Sequence, residues 1–282
     1  VVDSFRAMAG SKVWDPEKVY IFMDHLAPAP NLIGAENQKA FRDFAREQGC
    51  HLVEINEGIC HKVFPEIGVS RPGKIIIITD SHTPIHGAYG AFGTGVGATD
   101  MAAILNEGTI WLRVPDVINV RLTGKMPTGV MAKDIALYIL GELGTSFANY
   151  TVIEFSGPVI EEMPMEERTV LAVMGTEMGA KSTFIKPDTI TVNYVKSRTD
   201  APFAIYETDA DYEYAAVFEF DVTDLKPQVA MPHSVDNTHD VADVEGIPVD
   251  QVFLGSCTGG NNSDIEVFAK AIAGQKIAPN TR

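Results

Sequence analysis

Along the first part of the chain, apolar runs alternate with amphipathic segments, and this alternation predicts parallel strands covered by helices. "KVYIFM" (Lys18 to Met23) reads as a strand, and Asn31 to Gln48 places Leu32, Ala35, Ala40, Phe41 and Phe44 at helical spacing. A short strand is expected at His51 to Ile55. "KIIIIT" (Lys74 to Thr79) carries four consecutive isoleucines, the mark of a central parallel strand buried on both faces. The small residues of Gly87 to Asn106 predict a closely packed helix, and "TIWLRV" (Thr109 to Val114) predicts another strand.

Near Pro115 the texture changes. "NVRLTG" opens a second unit as a strand, Val130 to Leu143 has helical spacing with Thr128 as its cap, and Met165 to Gly179 is a further helical stretch. "TITVNYV" (Thr189 to Val195) alternates with period two and predicts a half-buried strand, as does "YAAVFEFDV" (Tyr214 to Val222). A third unit begins near Ile247 with "IPVDQVFLGSC". The expected organisation is thus an α/β protein with mostly parallel sheets in three units, residues 1–117, 118–246 and an incomplete 247–282. There is no internal repeat and no low-complexity segment.

Composition narrows the choice of function. The 282 residues are 45% hydrophobic and 21% charged, with a net charge of −16 spread along the chain. That balance argues against nucleic acid and against anionic membranes, both of which want a basic surface. No apolar run approaches the roughly 20 residues needed to cross a bilayer, and the first residues are neither a signal nor a transit peptide, so an intracellular, cytoplasmic protein is expected. Three cysteines at wide spacing, with no CxxC pair, do not make a disulfide framework. The missing initiator methionine and the closing "QKIA", which reads like the start of a strand, suggest a piece of a longer protein. An anionic substrate would need a local cationic patch that no motif supplies.

Chemistry concentrates where apolar strands end. "VYIFMDH" ends in Asp24-His25, "KIIIITDSHT" in Asp80-Ser81-His82, and "VDQVFLGSC" in Cys257. In open parallel sheets, ligands bind beyond the carboxyl ends of strands. A carboxylate beside an imidazole can fix its tautomer and raise its basicity, which suits acid/base work. Plainer readings stand beside these: Asp24-His25 as a cap for the following segment, Asp80-Ser81-His82-Thr83 as a turn whose Asp and Ser bond local amides, and Cys257 as a small buried side chain. His61 and His86 add further candidates. His82 and His86 lie four apart, as in some zinc pairs, but Pro84 disfavours a helix between them. A Ser81 nucleophile lacks the G-x-S-x-G elbow. Gly93-Thr94-Gly95-Val96-Gly97 lacks the context of a phosphate loop, so close packing is its expected role. Cys50 and Cys60 read as packed thiols.

Taken together, Asp24-His25, "GICH" through His61, "TDSHTPIHGAYGA" from Thr79 and "GSCTGG" from Gly255 resemble the aconitase superfamily. Within it, the likeness is to the large subunits of 3-isopropylmalate dehydratases and homoaconitases. "KVWDPEKV", "PAPN", "REQGC", "LTGKMPTGVMAKDI", "TEMGAK" and "VAMPHSVDN" follow in the family's order and extend the resemblance over nearly the whole chain.

The resemblance implies aconitase-like three-layer α/β/α domains and a hydro-lyase that moves a hydroxyl between adjacent carbons of a di- or tricarboxylic acid. It implies a [4Fe-4S] cluster held by three cysteines, one iron of which acts as a Lewis acid. By motif, Cys257 is the first cluster ligand, and the other two lie beyond this chain. Asp24 and His25 match the pair that protonates the leaving hydroxyl. His61, Asp80, Ser81 and His82 match active-site positions, with Ser81 expected to bind substrate, and Glu177 matches an acidic residue near the labile iron. The implied partner is a small swivelling subunit that contributes a substrate-binding segment and a catalytic serine, so the fragment alone should be inactive. The sequence has "TDSHTPIHG" where "GDSHTSTHG" is usual, "GSCTGGNN" for "GSCTNG", and Val173 in place of an asparagine. These departures leave room for a homoaconitase or a hydratase of the dimethylmalate or citraconate type. A non-catalytic subunit retaining the fold, or a mononuclear metal hydrolase using His61, His82 and His86, are the readings from other classes.

Overall fold

Several helices begin where a side chain accepts from their first amides. The computed structural model describes residues 1–282. After α1 (Val2–Ala7) and β1 (Tyr20–Phe22), the Asn31 side chain accepts from Gly34 N–H at 2.9 Å and starts α2 (Leu32–Gln48), which left-handed Gly49 ends at φ 74°. Then follow β2 (His51–Val53), α3 (Cys60–Glu66), β3 (Ile75–Ile78), a 3-10 segment (Thr83–Tyr89), β4 (Phe92–Gly95) and α4 (Ala98–Glu107). Strands β1 and β2 form one parallel pair, β3 and β4 another.

The main sheet holds the largest core. Strands β5 (Val117–Thr123), β6 (Val152–Ser156), β7 (Ser182–Ile185) and β8 (Ala216–Asp221) are all parallel, in the order β7-β6-β5-β8. Helices α5 (Ala132–Leu143), α6 (Pro158–Glu162), α7 (Met165–Met174) and α8 (Thr189–Lys196) join them. Val120, Leu122, Ile135, Ile139, Ile153 and Leu171 are buried in the resulting core. Strands β9 (Gln228–Ala230) and β10 (Thr238–Asp240) make an antiparallel ribbon, and α9 (Asn262–Ile272) closes the chain. The α/β class with mostly parallel sheets is as the alternation predicts. No helix is long and apolar enough to cross a membrane.

Several local expectations fail for identifiable reasons. Thr189 to Val195 is helical, because Asp188 caps it by accepting from Thr191 N–H at 3.0 Å, and Thr191 and Val195 then share a buried face. Gly87 to Asn106 is not one helix: left-handed Gly90 ends the 3-10 segment, and β4 intervenes before α4. Gly93 and Gly95 sit inside β4, where a Cβ would lie 2.3 Å from the Thr83 carbonyl oxygen and 2.5 Å from that of Asp80. They do serve close packing, but of a strand. Thr109 to Val114 forms no strand, and Trp111 and Val114 project into solvent. β3 pairs on one side only, leaving Ile75 exposed. Thr128 does not cap α5; Asp134, in its first turn, accepts from Met131 N–H instead. Val252 to Leu254 forms no strand and is exposed.

Two contacts fix the site loop to the main sheet. Thr183 Oγ1 on β7 donates to the Pro84 carbonyl at 2.7 Å, and Thr176 Oγ1 after α7 donates to that of Ser81 at 2.9 Å. Gly87 lies so close to β7 that a Cβ would be 2.0 Å from the Thr183 carbonyl oxygen.

Arg168 on α7 is fully buried, bonded to both Asp188 oxygens at 2.8 and 2.6 Å and to the Met163 and Ile160 carbonyls. Asp188→Ala strands that guanidinium and removes the α8 cap, so chemical denaturation should show a loss of about 3 kcal/mol. An unchanged midpoint and slope would contradict this account of the α7–α8 join.

Candidate active site

Strand β3 delivers Asp80 to the floor of a cavity of about 660 Å³, where it organises three histidines. His61, buried on α3, donates Nε2–H to Asp80 Oδ1 at 2.8 Å. The His82 backbone N–H reaches the same oxygen at 2.8 Å, and His25 Nε2 lies 3.2 Å from Oδ2. The bond from His61 is the largest influence holding the Asp80 carboxyl far below the usual carboxylate range.

His25 is placed between two carboxylates, its Nδ1 2.9 Å from Asp24 Oδ1. That bond, together with the charges of Asp24 and Asp80, raises its pKa above the ordinary histidine value. Burial alone would raise Asp24, but bonds from His25 and from the Cys60 N–H at 2.8 Å outweigh it and hold Asp24 ionised. The Asp24 carboxylate therefore also caps α3. His82 Nε2 lies 3.4 Å from Glu177 Oε1, which the turn after α7 carries into the cavity.

Cys257 lines the same cavity. It is a free thiol, half-buried, next to Ser256 in the left-handed region at φ 72°. Burial pushes its pKa up, with Asp80 adding to the effect and Lys62 and Lys133 opposing it. The cavity thus brings together Asp24, His25, His61, Asp80, His82, Glu177 and Cys257. Ser81 is not among its lining residues; it faces a smaller neighbouring pocket with Thr94, Gly95 and Lys181. His86 is set behind the site, its Nδ1 2.8 Å from Ser70 Oγ, and no three His, Cys, Asp or Glu residues form a metal-holding group.

Sequence reasoning missed the polar frame around Cys257. Lys62 Nζ donates to Asn261 Oδ1 at 2.5 Å, and Lys133 Nζ to Thr258 Oγ1 at 3.1 Å. Glu166 holds the start of α9 by accepting from Ser263 N–H at 3.0 Å. The chain also packs tightly here, since a Cβ on Gly260 would sit 2.9 Å from the Ser256 carbonyl oxygen. The donor set fits one corner of a thiolate-bound group: one soft ligand at a cavity wall, with no second cysteine facing it except buried Cys60, whose pKa burial raises strongly.

Comparison with known proteins decides the ancestry, because residues 1–282 match the aconitase family (aconitate hydratase) from end to end. The chain belongs to the aconitase family. It is 45% identical, over its whole length, to a 3-isopropylmalate dehydratase large subunit of Methanopyrus kandleri, of which it covers 68%. A large subunit of the same description from Syntrophus aciditrophicus is 42% identical over the whole chain, which covers 67% of it. A probable methanogen homoaconitase large subunit of Methanosarcina mazei is 43% identical over 99% of the chain, which covers 72% of it. Aconitase family membership therefore rests on the full chain, which spans about two thirds of the length of these relatives. Among solved structures, aconitase X of Thermococcus kodakaraensis aligns over 96% of the chain and 62% of its own at 14% identity and a TM-score of 0.46, too weak a likeness to carry detail.

His86 gives this site a measurable pH signature. Burial, with a smaller contribution from His61, lowers it to about 3. Above pH ~6.5 it is neutral in both folded and unfolded chains, and its share of stability is complete. Between pH ~6.5 and 3 the unfolded chain takes up a proton that the folded one refuses, so stability falls with pH. His86→Gln should be less stable than wild type at pH 7.5, and by denaturant unfolding the gap should narrow by about 1.4 kcal/mol per pH unit between pH 6 and 4. A gap that stays constant over that range would contradict a buried neutral His86.

Proposed function

We propose that this chain is the cluster-binding large subunit of a hydro-lyase that dehydrates and rehydrates a small hydroxy-carboxylic acid, with 3-isopropylmalate as the first candidate. One observation carries the reading: His25, held between Asp24 and Asp80, and Cys257 line a single cavity. The volume suits a small molecule. Loss of water from an unactivated alcohol is slow because hydroxide leaves poorly, so a proton must be delivered to the departing oxygen. His25 is the acid for that step. Asp24 and Asp80 favour its protonated form, and His61 and the His82 N–H fix Asp80 in turn. Glu177, beside His82, offers an acceptor for the released water.

A [4Fe-4S] cluster, with Cys257 as one of its three thiolate ligands, would supply Lewis-acid polarisation of the substrate hydroxyl. The remaining two ligands come from sequence beyond these residues. The base that takes the carbon-bound proton is not among the residues assembled here, and the family resemblance assigns it to a serine of the small subunit. Relatives described as dehydratase and homoaconitase large subunits support both the partner and the substrate class, at 45% and 43% identity. Homocitrate-type and methylated dicarboxylic acids are therefore the alternatives. The same reading makes the protein half of a cytoplasmic heterodimer in leucine biosynthesis.

The test is an assay of the full-length protein, reconstituted anaerobically with its small subunit, against 3-isopropylmalate, homocitrate, citraconate and dimethylmalate. Wild type should hold iron and sulfide and turn over one of these acids, with kcat/KM falling as pH rises through the raised pKa of His25. His25→Gln should lower kcat about 10²- to 10⁴-fold with a smaller change in KM. A protein that takes up no cluster, or a His25→Gln variant as active as wild type, would refute the reading.

A further inference from the structure

The chain carries a net charge of −16, yet two ammonium groups converge on the turn that bears Cys257. Their positions are unfavourable for helix stability. Lys62 is the third residue of α3 and Lys133 the second of α5, so each places a cation at the positive end of a helix, where an anion is preferred. Both are partly buried, and burial lowers both pKa values. A lysine that breaks a local rule without a compensating gain in its own helix points to a gain elsewhere.

The gain lies in the turn. Lys62 holds its far end through Asn261, and Lys133 holds the residue after Cys257 through Thr258. Gly259 leaves room for the second ammonium, since a Cβ there would stand 3.2 Å from Lys133 Nζ. Asp264, Glu166 and Glu66 lie near Lys62, and Asp264 and Asp134 near Lys133, yet the hydrogen bonds of both ammonium groups go to the turn, to Asn261 and Thr258, and to none of these acids.

We propose that Lys62 and Lys133 are positioning residues for Cys257, clamping its turn from two sides through Asn261 and Thr258 and offsetting the surrounding carboxylates in favour of a thiolate-bound iron–sulfur group. The proposal rests on the cluster-binding reading above. It assigns to this chain a local cationic patch that no sequence motif announces.

The experiment uses the full-length protein assembled with its small subunit and reconstituted anaerobically. Lys62→Met, Lys133→Met and the double variant are compared with the arginine variants at both positions. Each lost charge should speed iron release to a chelator about tenfold and make the midpoint potential of the centre more negative, while arginine restores both. Lys62→Met also strips the lysine donor from buried Asn261 Oδ1 and should lower the thermal stability of the cluster-free protein, so the glutamine variants separate that cost from the loss of charge. Lys62→Gln and Lys133→Gln, which keep a donor without the charge, preserve the comparison if a methionine variant fails to fold. A double variant with release rate and potential like those of a loaded wild type would overturn the role of the lysines alone. A wild type that binds no iron or sulfide would overturn the cluster reading, and this one with it.

Discussion

The arrangement of the site depends on one carboxylate. Asp80 leaves β3 at the point where the chain turns under the main sheet, and its two oxygens meet His61, the His82 backbone and His25. A buried imidazole such as His61 needs a partner for its N–H, and a partly buried carboxylate needs donors in return. Each satisfies the other, and the price of removing either is borne by the whole cluster. Because Thr183 and Thr176 tie the following loop to the main sheet, the position of Asp80 is set by the packing of two separate sheets.

Charge is sorted within the cavity. An acidic chain has gathered His25, Lys62 and Lys133 near one space, with Asp24, Asp80 and Glu177 arranged to hold imidazoles rather than to repel a substrate. An anion, if the proposed substrate binds here, would meet His25 and Lys133 first among these cations. The partners of Lys62 and Lys133 lie far away in sequence.

That separation explains what could be read beforehand. Asp24, Asp80 and their neighbouring histidines were legible because an apolar run ended at each, and a strand end is a local signal. That β1, β3, β5 and β8 are strands followed from the same runs, while their pairing did not. Thr189 to Val195 was misleading because one cap, Asp188, outweighed a β-like alternation. Cys257 was placed after a strand that does not form here, and its position comes from Lys62, Lys133 and Glu166 instead. No periodicity marks those contacts. The available clue was a lysine in the first turn of a helix, a cost that invites a reason.

The central claim is that Asp80 joins His25, His61 and His82 into one unit. Nitrogen-15 NMR of the histidine rings in the full-length protein, before and after Asp80→Asn, tests it most directly. The account predicts that the signals of all three rings move and that the midpoint of His25 drops toward its ordinary value. Movement confined to one ring, with the titration of His25 unchanged, would contradict it.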